Sequence, residues 1–127
     1  MATLDRRARL TPLQIAVMQV LWARAEASVS EVQKEMRGKR LAVTTVATLL
    51  TRLEQRGLTA HRVDGRQYLY RARVSPVDVR QSATRDLLGN LFHGDVTAFV
   101  TQLLDARDLT REEIADLKRL IRAKERR

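Results

Sequence analysis

The stretch Val43-Thr44-Thr45-Val46-Ala47-Thr48-Leu49-Leu50-Thr51-Arg52-Leu53-Glu54-Gln55-Arg56-Gly57 decides how the rest of the chain is read. At 100° per residue, Val43, Val46, Leu49, Leu50 and Leu53 fall on one stripe and predict an amphipathic helix that Gly57 ends. The opposite side carries Thr44, Thr48, Thr51, Arg52 and Gln55. Solvated helix faces usually alternate Glu and Lys. Thr is a mediocre helix former, so a row of three points to selection for something other than helix propensity. The same row also fits an ordinary polar face, and Arg52 also fits a solvated cation or a partner of Glu54 or Gln55.

Just beyond Gly57 the period changes to two. Leu58–Arg62 and Gln67–Arg71 read as strands joined through Val63-Asp64-Gly65-Arg66, with Asp-Gly as the turn signal. Upstream, Thr11-Pro12-Leu13-Gln14 predicts a capped helix start, with Leu10 and Ile15 at staple positions and Ile15, Met18, Leu21 and Trp22 as its apolar face. Ser28-Val29-Ser30-Glu31 opens a shorter helix with Val29, Val32 and Met36, and Gly38 stops it. Helix, helix, helix, hairpin is the pattern of a winged helix-turn-helix. The fold class is therefore mainly α: three helices plus a β-hairpin wing over residues 1–74, followed by a three-helix module over 75–127.

In that later module, Ser75-Pro76-Val77-Asp78 predicts a helix start, with Ala83, Leu87, Leu88, Leu91 and Phe92 on its apolar side and Gly94 at its end. Asp95 caps the next helix, whose stripe is Val96, Phe99, Val100, Leu103 and Leu104. Thr110-Arg111-Glu112-Glu113 opens the last one, with Ile114, Leu117, Leu120 and Ile121. Three short helices cannot cover that many apolar side chains, so a second copy of the chain is expected to do it. The expected dimer interface is Leu87, Leu91, Phe92, Val96, Phe99, Val100, Leu103, Leu104, Ile114, Leu117 and Ile121.

Charge separates the two modules. The chain of 127 residues has a net charge of +9. Residues 1–74 hold 14 basic and 6 acidic side chains, and residues 75–127 hold 10 and 9. The positive excess is thus the footprint of the first module, as expected for a polyanionic partner. The chemistry fits double-stranded DNA. Thr hydroxyls bond to phosphates or bases, and the Thr methyl meets the thymine methyl. Ala47 and Thr48 allow close approach, and Arg52 reaches a phosphate or a guanine edge. The N–H groups near Ala42–Thr45 suit a phosphate, with Lys39 and Arg40 just before them. Arg62, Arg66, Gln67 and Arg71 of the hairpin face the DNA backbone in this reading.

The sequence resembles the penicillinase-repressor family (the BlaI/MecI type) of winged-helix bacterial repressors. The resemblance lies in Leu10–Trp22, Thr45–Leu53, Gly57, the wing Gly65-Arg66-Gln67-Tyr68-Leu69-Tyr70, and Asp108–Leu117. It implies a cytoplasmic homodimer that blocks transcription from a palindromic operator in a penicillinase-repressor-like regulatory system. By the same resemblance Thr44, Thr45, Thr48 and Arg52 read the major groove, and Arg66 and Gln67 belong to the wing contact. In antibiotic-responsive members a membrane sensor triggers proteolysis near the start of the penultimate helix. That register falls at Gly94-Asp95-Val96, and the Asn-Phe pair cut in those members is missing here.

Other classes have less support. With no Cys, disulfide scaffolds, thiol nucleophiles and Cys-based metal sites are excluded. His61 and His93 are the two imidazoles and have no HxxxH partner, so neither a metal nor a cofactor is expected, and no catalysis. Glu112, Glu113 and Asp116 read as a cap and a helix surface rather than a catalytic pair. A run of about 18 apolar residues, as a membrane span needs, does not occur. The first ten residues have no apolar run that predicts a secretory leader. Two alternatives stay open: a winged-helix regulator with a small-molecule trigger, and a basic protein-interaction module.

Overall fold

The computed structural model describes residues 9–36 and 38–127. In chain order the elements are α1 (Pro12–Ala23), β1 (Ala27–Ser28), α2 (Val29–Glu35), α3 (Val43–Gln55), β2 (Thr59–Asp64), β3 (Gln67–Ala72), α4 (Pro76–Phe92), α5 (Val96–Asp105) and α6 (Arg111–Glu125). The chain divides into two compact units, one ending at Asp86 and the other spanning Leu87–Arg127.

The helix starts follow local chemistry. Thr11, Ser28 and Thr110 each accept from the backbone N–H three residues on, and Gln14, Glu31 and Glu113 reach back to the cap. Ser75 and Asp78 make the same reciprocal pair, at 3.0 and 3.2 Å. At the end of α3, Gly57 takes φ +78°. There Leu58 N–H donates to Leu53 O and Gly57 N–H to Glu54 O, a Schellman closure that turns the chain into β2.

Three antiparallel strands form one sheet in the order β1-β3-β2. Its β1 is a third strand that the periodicity did not reveal, because two residues, Ala27 and Ser28, are too short to show alternation. The hairpin is also longer than its sequence signal. Asp64 pairs with Gln67, so the loop is Gly65-Arg66 and not Asp64-Gly65. Gly65 has φ +64° while Arg66 stays at negative φ, as in a type II′ turn with Gly at the first central position.

The first unit's core is Val17, Met18 and Leu21 of α1, Val32 and Met36, Val46, Leu50 and Leu53 of α3, and Ala27, Leu58, Tyr70, Val74 and Val79. Two expected core residues lie outside it. Ile15 is exposed, because the buried stripe of α1 is Gln14, Val17, Met18 and Leu21. Gln14 is accommodated there because its Oε1 accepts from Thr11 N–H and from Arg56. Val43 is likewise exposed, at the open end of α3. Trp22 Nε1 donates to Val74 O at 2.8 Å, tying α1 to the chain that leaves β3.

The charge split and the Ser75-Pro76 signal put the expected module boundary at residue 74. The first unit instead runs into α4, whose Val79 joins the core and whose Ser82 is also buried. The Ser75-Pro76 signal marks a helix start, which need not coincide with a unit boundary.

In the second unit, α5 and α6 contain no buried residue. An apolar cleft of about 600 Å³ is lined by Val100, Leu103, Leu104, Ile114, Leu117 and Ile121, among others. Phe92 and Phe99 pack with ring centroids 5.2 Å apart.

Candidate nucleic-acid interface

The core stripe of α3 fixes which residues the helix presents outward. Val46, Leu50 and Leu53 are buried, so Thr44, Thr45, Thr48, Thr51, Arg52 and Gln55 are exposed. Ala47, Thr48, Thr51, Arg52 and Gln55 line one shallow surface groove along the helix. Thr48 Oγ1 donates to Thr44 O at 3.0 Å and Thr51 Oγ1 to Ala47 O at 2.9 Å. The hydroxyl protons are thus engaged within the helix. What remains for a partner is the oxygen as an acceptor, together with the methyl group.

A second groove joins α3 to the wing. Its walls are Ser28, Val29 and Ser30 at the start of α2, Val43, Ala47 and Thr51 of α3, and Arg66, Gln67, Tyr68 and Tyr70 of the hairpin. The fold therefore brings the wing residues Arg66 and Gln67 to the same surface as the Thr-bearing helix. Ser30 and Tyr68 share this groove although the sequence did not single them out. Tyr68 could have been found from strand alternation, since it lies two residues from the buried Tyr70. Ser30 carries no signal beyond its capping segment.

Lys39 and Arg40 are exposed in the loop before α3. The N-cap of α3 is Ala42, which supplies no side-chain hydrogen bond, so the first-turn N–H groups lack that intramolecular cap. Among the described residues Lys39, Arg40, Arg52 and Arg66 form no ion pair, which leaves their charge available.

Arg62 behaves differently. Its Nε and Nη2 donate to Glu26 at 2.7 and 2.9 Å, a two-pronged pair. The hydrogen bond from Arg62 holds the Glu26 carboxyl below the usual carboxylate range, and the same bond raises Arg62. Strand alternation places Arg62 on the sheet face opposite His61, Tyr68 and Tyr70. Burial pushes the Tyr70 hydroxyl up, with a side-chain hydrogen bond to Thr51 opposing it.

The sheet face that carries His61, Tyr68 and Tyr70 contacts α3. His61 Nδ1 lies 2.7 Å from Glu54 Oε1, and the His61 ring stacks on Tyr68. Among the described residues no cluster of three or more His, Cys, Asp or Glu could hold a metal, and no helix is long and apolar enough to cross a membrane.

This arrangement has counterparts in known proteins. The profile of the penicillinase repressor family matches residues 10–123, nearly the whole chain. The chain belongs to the penicillinase repressor family. As a member it is a DNA-binding transcriptional repressor and not an enzyme. It is 25% identical over 114 residues to the penicillinase repressor of Bacillus licheniformis, covering 89% of each chain. To the methicillin resistance regulatory protein MecI of Staphylococcus aureus (strain N315) it is 24% identical over 109 residues, covering 85% of this chain and 89% of MecI. Among solved structures, the DNA-binding domain of the repressor BlaI superposes with a TM-score of 0.52 at 25% identity. That match covers 58% of this chain and 92% of the BlaI domain. The likeness confirms the winged-helix fold of this penicillinase-repressor family member.

Proposed function

We propose that the protein acts as a cytoplasmic homodimer that represses transcription from a palindromic operator, in a regulatory system of the antibiotic-resistance type seen in its named relatives. The observation that carries this reading is the surface shared by α3 and the wing. Thr44, Thr45, Thr48 and Arg52 stand outward on a helix narrow enough, with Ala47 and Thr48, to enter a major groove. Beside it, Arg66 and Gln67 border the same groove as Ala47 and Thr51 and are placed to grip the DNA backbone. Lys39 and Arg40 meet phosphates next to the N-terminus of α3. Arg62 has a lesser share, because Glu26 already neutralises it.

The dimer is formed by the second unit. Leu87, Leu91, Phe92, Val96, Phe99, Val100, Leu103, Leu104, Ile114, Leu117 and Ile121 are exposed or half-buried in the single chain, and a second copy covers them. The turn between α4 and α5 is exposed, with His93 at φ 52° and Gly94 at φ 79°. It lacks the Asn-Phe pair, so induction by the cleavage specificity of the antibiotic-responsive relatives is not part of the proposal.

The test is selection of bound duplexes from a random DNA pool. Recovery of a palindrome with half-sites spaced about 34–36 Å, or a multiple of that, supports the reading. Recovery of a lone half-site would remove the dimer, and no enrichment at all would remove operator recognition.

A further inference from the structure

We propose that His61 is a positioning residue that pins the wing to the recognition helix and so sets how firmly the wing holds DNA. The wing is buried only at its base, where Thr59 donates to Leu50 O and Tyr70 joins the core. From Arg62 to Tyr68 every residue is exposed, and the hairpin beyond its base has no core to direct it. His61 stands at the boundary between these two parts. Its pairing with Tyr70, and that of Val63 with Tyr68, put His61, Tyr68 and Tyr70 on one face of the sheet.

Two contacts converge on this imidazole. On one side its Nδ1 meets Glu54 Oε1, in the last turn of α3, at 2.7 Å. The carboxylate can only accept, so Nδ1 carries the proton. On the other side its ring lies on Tyr68, with centroids 4.1 Å apart and planes 17° apart, and touches Tyr70 at 5.3 Å. Tyr68 directly follows Arg66-Gln67. A chain of contacts therefore runs from α3, through Glu54 and His61, to Tyr68 in the strand that directly follows the turn cation Arg66. A wing fixed in this way has less freedom to lose when Arg66 meets a phosphate.

The inference rests on the wing touching DNA, and the experiment separates the two. Affinity for a random-sequence DNA duplex at low salt is measured for His61→Ala, Arg66→Ala and the double variant of the full chain. Random DNA suffices because the wing contact is with the backbone. His61→Ala alone is expected to weaken binding about 5-fold, within the range for residues coupled through a shared backbone shift, and by less than about 2-fold in the Arg66→Ala background. Glu54→Ala should reproduce His61→Ala, and Glu54→Gln, which keeps the acceptor oxygen, should restore binding. Equal losses from His61→Ala in both backgrounds would overturn the pin while leaving the wing contact intact. If Arg66→Ala alone changes neither affinity nor salt dependence, the wing contact falls and the pin with it. If His61→Ala does not fold, His61→Phe, which keeps a stacked ring and loses the Glu54 bond, takes its place in the same cycle.

Discussion

The unit that ends at Asp86 and the unit that begins at Leu87 are built from helices with equally plain apolar stripes, yet they reach opposite outcomes. In the first, three helices and a sheet close over Met18, Leu50, Leu53 and Leu58, which are almost completely buried. In the second, Leu103 stays 56% exposed and Leu120 65% exposed. An apolar stripe states which side of a helix needs cover. Only the number and placement of neighbouring elements decide whether the same chain provides it.

Truncation on each side is the strongest way to break this comparison. Leu50→Ala should cost about 2–5 kcal/mol in denaturant unfolding, with a loss that does not vary with protein concentration. Leu103→Asp should leave the first unit folded and convert dimer to monomer in sedimentation. A monomeric unmodified protein would end the contrast.

The next effect concerns the base recognition proposed for the first unit. Because the Thr48 hydroxyl proton is engaged by Thr44 O, the oxygen can only accept, and the methyl is free to meet a thymine methyl. Thr48→Val should then retain preference for the operator, whereas Thr48→Ser should lose about 1 kcal/mol of discrimination. The reverse order in a competition assay would assign the contact to the hydroxyl oxygen. A smaller contrast sharpens the account of charge. Arg66→Ala should flatten the salt slope of binding by about one unit, as for a lost phosphate contact, while Arg62→Ala should change it less.

The smallest effect distinguishes how the second unit is held. The start of α6 depends on exposed polar contacts rather than on a core. The Arg107 guanidinium, and then the Thr110 N–H, hold the Glu113 carboxyl at about 2. A carboxyl held below its ordinary value near 4.5 contributes stability that is complete above that value and is lost as pH falls toward about 2. Helix content followed by circular dichroism should therefore decline over that acid range, and Glu113→Gln should flatten this part of the curve. Identical acid curves for the two proteins would remove Glu113 as the cause.

Much of the outward surface of α3, the candidate site, was legible from residue order. The stripe Val46, Leu50 and Leu53 forces Thr44, Thr48 and Arg52 outward whatever the helix packs against, because a 3.6-residue period has only one opposite side. The capping boxes were legible for the same reason, since a Thr11-to-Gln14 or Ser28-to-Glu31 pair is satisfied within one turn. The two-residue β1 was not legible, nor were the engagement of Arg62 by Glu26 or the contact of His61 with Glu54. Each depends on a contact between separate elements or on too few residues to show a period.

What the sequence determined by itself, then, is local: element type, helix ends, the outward face of α3 and the concentration of positive charge in the first 74 residues. The tertiary structure decided which cations remain available, where the first unit ends within α4, and that Arg66 of the wing shares a groove with α3. These outcomes depend on distances between segments, and neither periodicity nor propensity specifies a distance across the fold.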